Sequence, residues 1–213
     1  ISMGRRRNAQ WPEPGKATRH TGAVPKHDSR EALWESYVRY DDGKRQLNVA
    51  MAGWAMGDQE IDHWCNWFGS HLQRITGGRH DQIWAKEVNF AENQLTAVGA
   101  RRLLETLAEG KVYAFVLKLH HNQLEDGACV ADYITHCQGS LRELHLSHNE
   151  MPTEAAAQII LAAVSVRDDE GGAFCYPCRS GGHSAAPLWL RLEQNYVAPA
   201  ALASLTDPPF EEI

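Results

Sequence analysis

The sequence is poor in the features that mark several large classes of protein. No apolar run approaches the ~20 residues that a membrane-spanning helix needs, and the first thirty residues lack the short apolar block of a secretory signal. Positive charge is not in excess. The chain has 21 Lys and Arg against 27 Asp and Glu, a net charge of -6, so bulk electrostatics gives no reason to expect a nucleic-acid partner. The five cysteines, at 65, 129, 137, 175 and 178, are an odd number with only the last two closely spaced. That suits a reduced protein inside the cell, in the cytoplasm or nucleus, better than a disulfide framework. The phosphate loop G-x-x-x-x-G-K, the nucleophile elbow G-x-S-x-G and the zinc helix H-E-x-x-H are all absent. The expectation is a soluble protein that is not an enzyme and needs no cofactor.

What is present is enough apolar material, 43% of 213 residues, to bury a substantial core in one domain with a tail. Residues 1 to 30 form that tail. They hold Pro12, Pro14, Gly15, Gly22 and Pro25 with few apolar residues and no periodicity, and read as a flexible arm. Its cations are Arg5, Arg6, Arg7, Lys16, Arg19, Lys26 and Arg30, which could touch RNA, acidic lipid or a localisation receptor, although such arms are more often simply solvated. A chain that begins at Ile1 rather than Met leaves open a fragment of a longer protein.

Internal similarity decides the fold. The segments 85–95 (AKEVNFAENQL), 114–124 (AFVLKLHHNQL), 141–151 (LRELHLSHNEM) and 187–197 (PLWLRLEQNYV) align on one asparagine, at Asn93, Asn122, Asn149 and Asn195, in steps of 29, 27 and 46. The unit is about 28 residues, and the last step carries an insertion. Inward slots are Ala85, Val88 and Phe90; Ala114, Leu117 and Leu119; Leu141, Leu144 and Leu146; and Pro187, Leu190 and Leu192. The alternation within each set is that of a short strand with one buried face. The Asn amide can satisfy backbone groups where the strand turns away, and copies of it can stack as a ladder. Each strand is followed by helix periodicity, through Leu103, Leu104 and Leu107, then Val130 and Ile134, then Ile159 and Ile160. Small residues six places after each Asn (Gly99, Ala128, Ala155, Ala201) are expected to let the helix pack close to its strand.

Over residues 85 to 206 these segments, read as L-x-x-L-x-L-x-x-N-x-L, resemble the leucine-rich repeat family. The full helix in each ~28-residue unit is similar to its ribonuclease-inhibitor-like class. The resemblance implies an α/β solenoid, a short horseshoe with parallel strands on the concave face and helices on the convex face. Residues 76–213 would make up the repeats, with an inserted loop at 167–186.

Before them, residues 31–75 read as an N-terminal cap. A shift of 39 sets Val49 on Val88, Met51 on Phe90, Trp54 on Asn93 and Trp64 on Leu103, keeping the apolar pattern and losing the Asn, as expected at the end of a solenoid. Tyr37 to Tyr40 and Leu47 to Met51 flank Asp41-Asp42-Gly43-Lys44, a hairpin signal. Trp34, Trp54, Trp64 and Trp67 read as core rather than as a ligand-binding aromatic box.

Side chains between the buried slots should face a partner, which in this family is mostly another protein. One row is Asn89, Lys118, His145 and Arg191, beside Glu87, Val116, Glu143 and Trp189, then Ala91, His120, Ser147 and Glu193. Adjacent strands lie ~4.8 Å apart, so Lys118 with Glu143, or Glu143 with Arg191, could pair with each other. Trp189 with Arg191 is the candidate hot spot. The same pair, with the basic arm, would serve RNA stacking and phosphate contact in a regulatory module. An enzyme reading rests on His120, His121, His145 and His148 alone. In the insertion, Cys175 and Cys178 are a half-site for zinc with His183 as a third ligand, but a closed site needs four and there is no second Cys pair, so no metal is expected, and a local disulfide, free thiols or a partial metal site stay open.

Overall fold

Burial along the chain follows the two periods that the sequence carries. In the strand Ile83–Asn89, Ile83, Ala85 and Val88 are buried while Trp84 and Lys86 are exposed. In the helix Ala97–Glu109 the buried residues are Gly99, Ala100, Leu103, Leu104, Thr106 and Leu107, one helical face. The computed structural model describes residues 27–78, 81–168, 172–176 and 187–206. Its elements are α1 (His27–Tyr37), β1 (Val38–Asp41), β2 (Gln46–Ala50), α2 (Asp58–Ile75), β3 (Ile83–Asn89), α3 (Ala97–Glu109), β4 (Val112–Ala114), β5 (Val116–Lys118), α4 (Ala128–Cys137), β6 (Glu143–His145), α5 (Thr153–Ser165), β7 (Trp189–Arg191) and α6 (Pro199–Thr206). The fold is α/β.

The strands form one open sheet in the order β1-β2-β3-β5-β6-β7, with β4 beside β3. The hairpin expected around Asp41 to Lys44 is present as the antiparallel pair β1 and β2, and every other pairing is parallel. Parallel neighbours require crossovers, and α2 to α5 supply them. Val49, Val88, Leu117 and Leu144 share one buried cluster with the inner faces of those helices, so the helices cover one face of the sheet and leave the other open. Among the described residues no helix is long and apolar enough to cross a membrane.

The asparagines tie neighbouring strands together. Nδ2 of Asn122 donates to the carbonyls of Leu119 on its own strand and Phe90 on the strand before, both at 3.0 Å, and its Oδ1 accepts from Leu95 N at 3.0 Å. The same bonds recur at Asn93, Asn149 and Asn195. The residue before each Asn (Glu92, His121, His148, Gln194) has φ between 55° and 58°, a left-handed turn that aims the amide back into the sheet. Gly53, at the equivalent place after β2, adopts the same sign of φ at the low steric cost of glycine.

Several expectations need correction. The basic arm was expected to run to residue 30, but α1 begins at His27; the rest of the arm, 1–26, lies outside the described residues. Trp34, fully buried against His63 and Trp67 of α2, anchors this helix. Of the four tryptophans read as core, Trp34 and Trp64 are fully buried, while Trp54 and Trp67 are partly buried against the same cluster. Gly99 does not serve strand packing: a Cβ there would collide with the Asp58 carboxylate at the start of α2. That carboxylate accepts from Thr96 N at 3.0 Å and Thr96 Oγ at 2.6 Å. The inward slots of β3, β5 and β6 are completely buried, whereas Leu190 and Leu192 are only half-buried and Pro187 is exposed, because no described strand lies beyond β7. The described parts of the insertion, 167–168 and 172–176, run along the surface of the core, with 172–174 exposed and Cys175 and Tyr176 half-buried. Arg167 and Phe174 bridge antiparallel, Cys175 N donates to Val166 O at 2.9 Å and Tyr176 Oη donates to Leu141 O at 2.7 Å.

Candidate functional site: the open face of the sheet

The parallel register sets Asn89, Lys118, His145 and Arg191 side by side in one row. A second row, Val116, Glu143 and Trp189, is in register across β5, β6 and β7. Three short ion pairs or charge-assisted hydrogen bonds organise this surface. Lys118 Nζ meets Glu87 Oε2 at 2.9 Å, His145 Nε2 meets Glu143 Oε2 at 3.1 Å, and Arg191 Nε meets Glu193 Oε1 at 3.3 Å. Asn89 Nδ2 donates to the other oxygen of Glu87 at 3.1 Å. The pairs Lys118–Glu143 and Glu143–Arg191, expected from strand spacing, do not form. Glu143 and Glu193 instead take partners two residues along the chain, and Glu87 takes Lys118 from the next strand together with Asn89 two residues along its own, where the side chains already share a face. The Arg191 guanidinium and the backbone N–H of Glu193 hold the Glu193 carboxyl below its ordinary value, the backbone being the stronger cause.

Three expected outward positions are buried: Ala91, His145 and Ser147. Trp189 packs edge-on against the His145 ring, with centroids 5.5 Å apart, and itself stays 57% exposed. The accessible part of the row is therefore Trp189, Arg191 and Glu193, with Lys118, Glu87 and Glu143 partly accessible beside them.

The four histidines do gather. His120 and His145 have centroids 6.0 Å apart, and His121 stacks on His148 at 4.0 Å. Burial, then the charges of His145 and His121, push the His120 pKa down, and His120 Nδ1 is buried without a hydrogen bond. The Glu92 carboxylate acts against these effects through its charge, and among the described residues no hydrogen bond joins the His120 ring to a carboxylate or nucleophile. Among the described residues no group of three or more His, Cys, Asp or Glu is arranged to hold a metal ion. Of the zinc candidates, Cys178 and His183 lie outside the described residues, and Cys175 is half-buried against Gly139.

One further group of residues was not anticipated from the sequence. Trp84, Tyr113, Phe115 and Arg142 line a cavity of about 360 Å³ at the N-terminal ends of the strands. Trp84 and Tyr113 are 29 residues apart and Phe115 and Arg142 are 27 apart, the same steps as the asparagines, so the frame aligned each pair without showing that the pairs share a cavity. Only the register, which pairs Trp84 with Tyr113, brings them together.

Neither a family model nor a curated protein nor a solved structure matches this chain.

Proposed function

We propose that the chain is a protein-binding module that docks a partner on the open face of the sheet, as a scaffold or adaptor without catalytic activity of its own. In this reading the sheet and its helices are a leucine-rich repeat solenoid of the ribonuclease-inhibitor-like class, and the open face is its concave side. The support for the solenoid is the Asn bonding that recurs at residues 93, 122, 149 and 195. The observation that carries the function is Trp189, a large apolar side chain left 57% exposed on a sheet face beside Arg191. Trp and Arg are the residues most enriched where interfaces concentrate their energy. A reducing compartment, cytoplasm or nucleus, fits the buried, unbridged thiols of Cys65, Cys129 and Cys137.

The test is capture of a partner by the full chain from a lysate of the source cells, identification of that partner, and titration of the purified pair. A Trp189→Ala, Arg191→Glu variant should weaken the reconstituted complex at least about tenfold, the loss of one hot-spot contact, while nuclease treatment leaves capture intact. Capture that disappears with nuclease would replace this reading with an RNA-associated one. An affinity unchanged in the double variant would move the interface off this face.

A further inference from the structure

The cavity at the N-terminal ends of the strands has an aromatic wall and an uncompensated charge. Trp84, 37% exposed, lies parallel to Phe115 with ring planes 4° apart and centroids at 5.8 Å, and packs on Tyr113 at 5.4 Å. Tyr113 is stacked in turn on His136 at 4.5 Å. The wall is thus held from behind and needs little ordering when something packs on it, which favours binding.

Arg142 is fixed through its backbone, its N donating to Phe115 O at 2.7 Å and its carbonyl accepting from Trp189 N at 2.9 Å. Arg142 is half-buried as a residue, and its guanidinium meets no carboxylate among the described residues, whereas Arg45, Arg74, Arg101, Arg102 and Arg191 each hold one. None of the residues lining the cavity is Asp or Glu. A partly desolvated cation with no counter-charge is costly, and an anion brought in by a ligand offsets that cost.

We propose that this cavity receives an aromatic side chain next to an Asp or Glu on an extended segment of a partner protein, the ring packing on Trp84 and Tyr113 and the carboxylate pairing with Arg142. The proposal rests on the protein-docking reading of the sheet and adds what the partner presents. The size fits: about 360 Å³ is near the lower end of the ~300–1,000 Å³ of small-ligand clefts, room for a side chain or two. The charge fits as well. A single guanidinium lining the cavity, on a chain of net charge -6, matches a single carboxylate, not the repeated phosphates of a nucleic acid, whose binding grows with the number of cations supplied.

The experiment is selection of a random-peptide phage library on the full chain, followed by fluorescence polarisation of the most enriched peptide. An aromatic–acidic consensus is expected. Trp84→Ala should weaken the peptide about tenfold. Arg142→Glu should do the same and reverse the preference, so that a peptide carrying Lys in place of its acid binds that variant better than the parent; this gain cannot come from misfolding. Tyr196→Ala, at an exposed aromatic beyond the C-terminal end of β7 and outside the cavity lining, should leave peptide affinity within about twofold. Absence of the consensus, peptide binding indifferent to both cavity substitutions, or displacement of the peptide by adenosine monophosphate at lower concentration than by an unlabelled aromatic–acidic dipeptide would each overturn the proposal. Loss of partner capture on changing Trp189 and Arg191, with no peptide selected at the cavity, would remove this inference and leave the docking face standing.

Discussion

The two ends of the sheet are built from the same strand, turn and helix and finish differently. At the N-terminal end the core is closed by β1, α1 and α2, and Trp34, Trp64 and Phe68 are completely buried. Trp64 stacks on Phe68 at 4.5 Å and meets Phe90 edge-on at 4.8 Å. At the C-terminal end Leu190 and Leu192 are half-buried, Trp189 and Tyr196 stand largely in solvent, and α6 is eight residues long. Burial of a strand residue here depends less on the residue than on whether another layer follows. Leu144 and Leu190 are register partners of the same type, yet one is sealed and the other is not.

The largest expected effect contrasts the two tryptophans. Trp64→Ala should destabilise the fold by about 3–5 kcal/mol, the range for removing a buried aromatic, while Trp189→Ala should stay within about 0.5 kcal/mol, as for a surface side chain. Urea denaturation of both variants measures this, and similar losses would show that the C-terminal end is sealed in solution.

A smaller contrast separates the asparagines. Asn122→Ala leaves Leu95 N and the carbonyls of Phe90 and Leu119 without their side-chain partner in a buried setting, worth about 2–3 kcal/mol. Asn195→Ala removes the same set of bonds at the accessible edge, where water can replace them, and should cost about 1 kcal/mol. Equal costs in the same denaturation experiment would mean that the edge is as dry as the centre.

The smallest effect is pH-dependent. Burial is the leading cause that holds the pKa of His71, His120 and His136 below the ordinary histidine value. The unfolded chain therefore binds protons first as pH falls below about 6.5, and stability present above that pH is lost on further acidification through the folded values. None of the three lies on β7 or α6, so the loss belongs to the closed part of the molecule. The urea midpoint should fall between pH 7 and pH 5, and a His71→Gln, His136→Gln variant should fall less. A midpoint independent of pH would show that these rings are hydrated.

Much of the arrangement was legible in the Asn frame. A residue that must bridge two strands recurs wherever two strands meet, so aligning Asn93, Asn122, Asn149 and Asn195 also aligned the rows that the register contains. What could not be read depends on contacts between units. The helix α1 was missed because HDSREALWESY has only Leu33, Trp34 and the flanking Ala and Tyr as apolar content and buries one of them, Trp34. It is helical because of what Trp34 packs on. The ion pairs were misassigned because strand spacing limits which charges can reach each other and side-chain direction selects among them, as with Lys118 choosing Glu87. Trp84 and Arg142 lie in different units, 58 residues apart in numbering, and only the parallel stacking makes them neighbours.

The asparagine bonds also have a direction. Asn93 reaches back to Met51, Asn122 to Phe90, Asn149 to Leu119 and Asn195 to Leu146. Their oxygens likewise receive N–H groups of the preceding turn, from Met56, Leu95, Leu124 and Met151. Every such contact therefore looks toward residues that have already left the ribosome. A newly made strand can dock on a finished neighbour without waiting for anything downstream, and the order of synthesis can serve as the order of assembly.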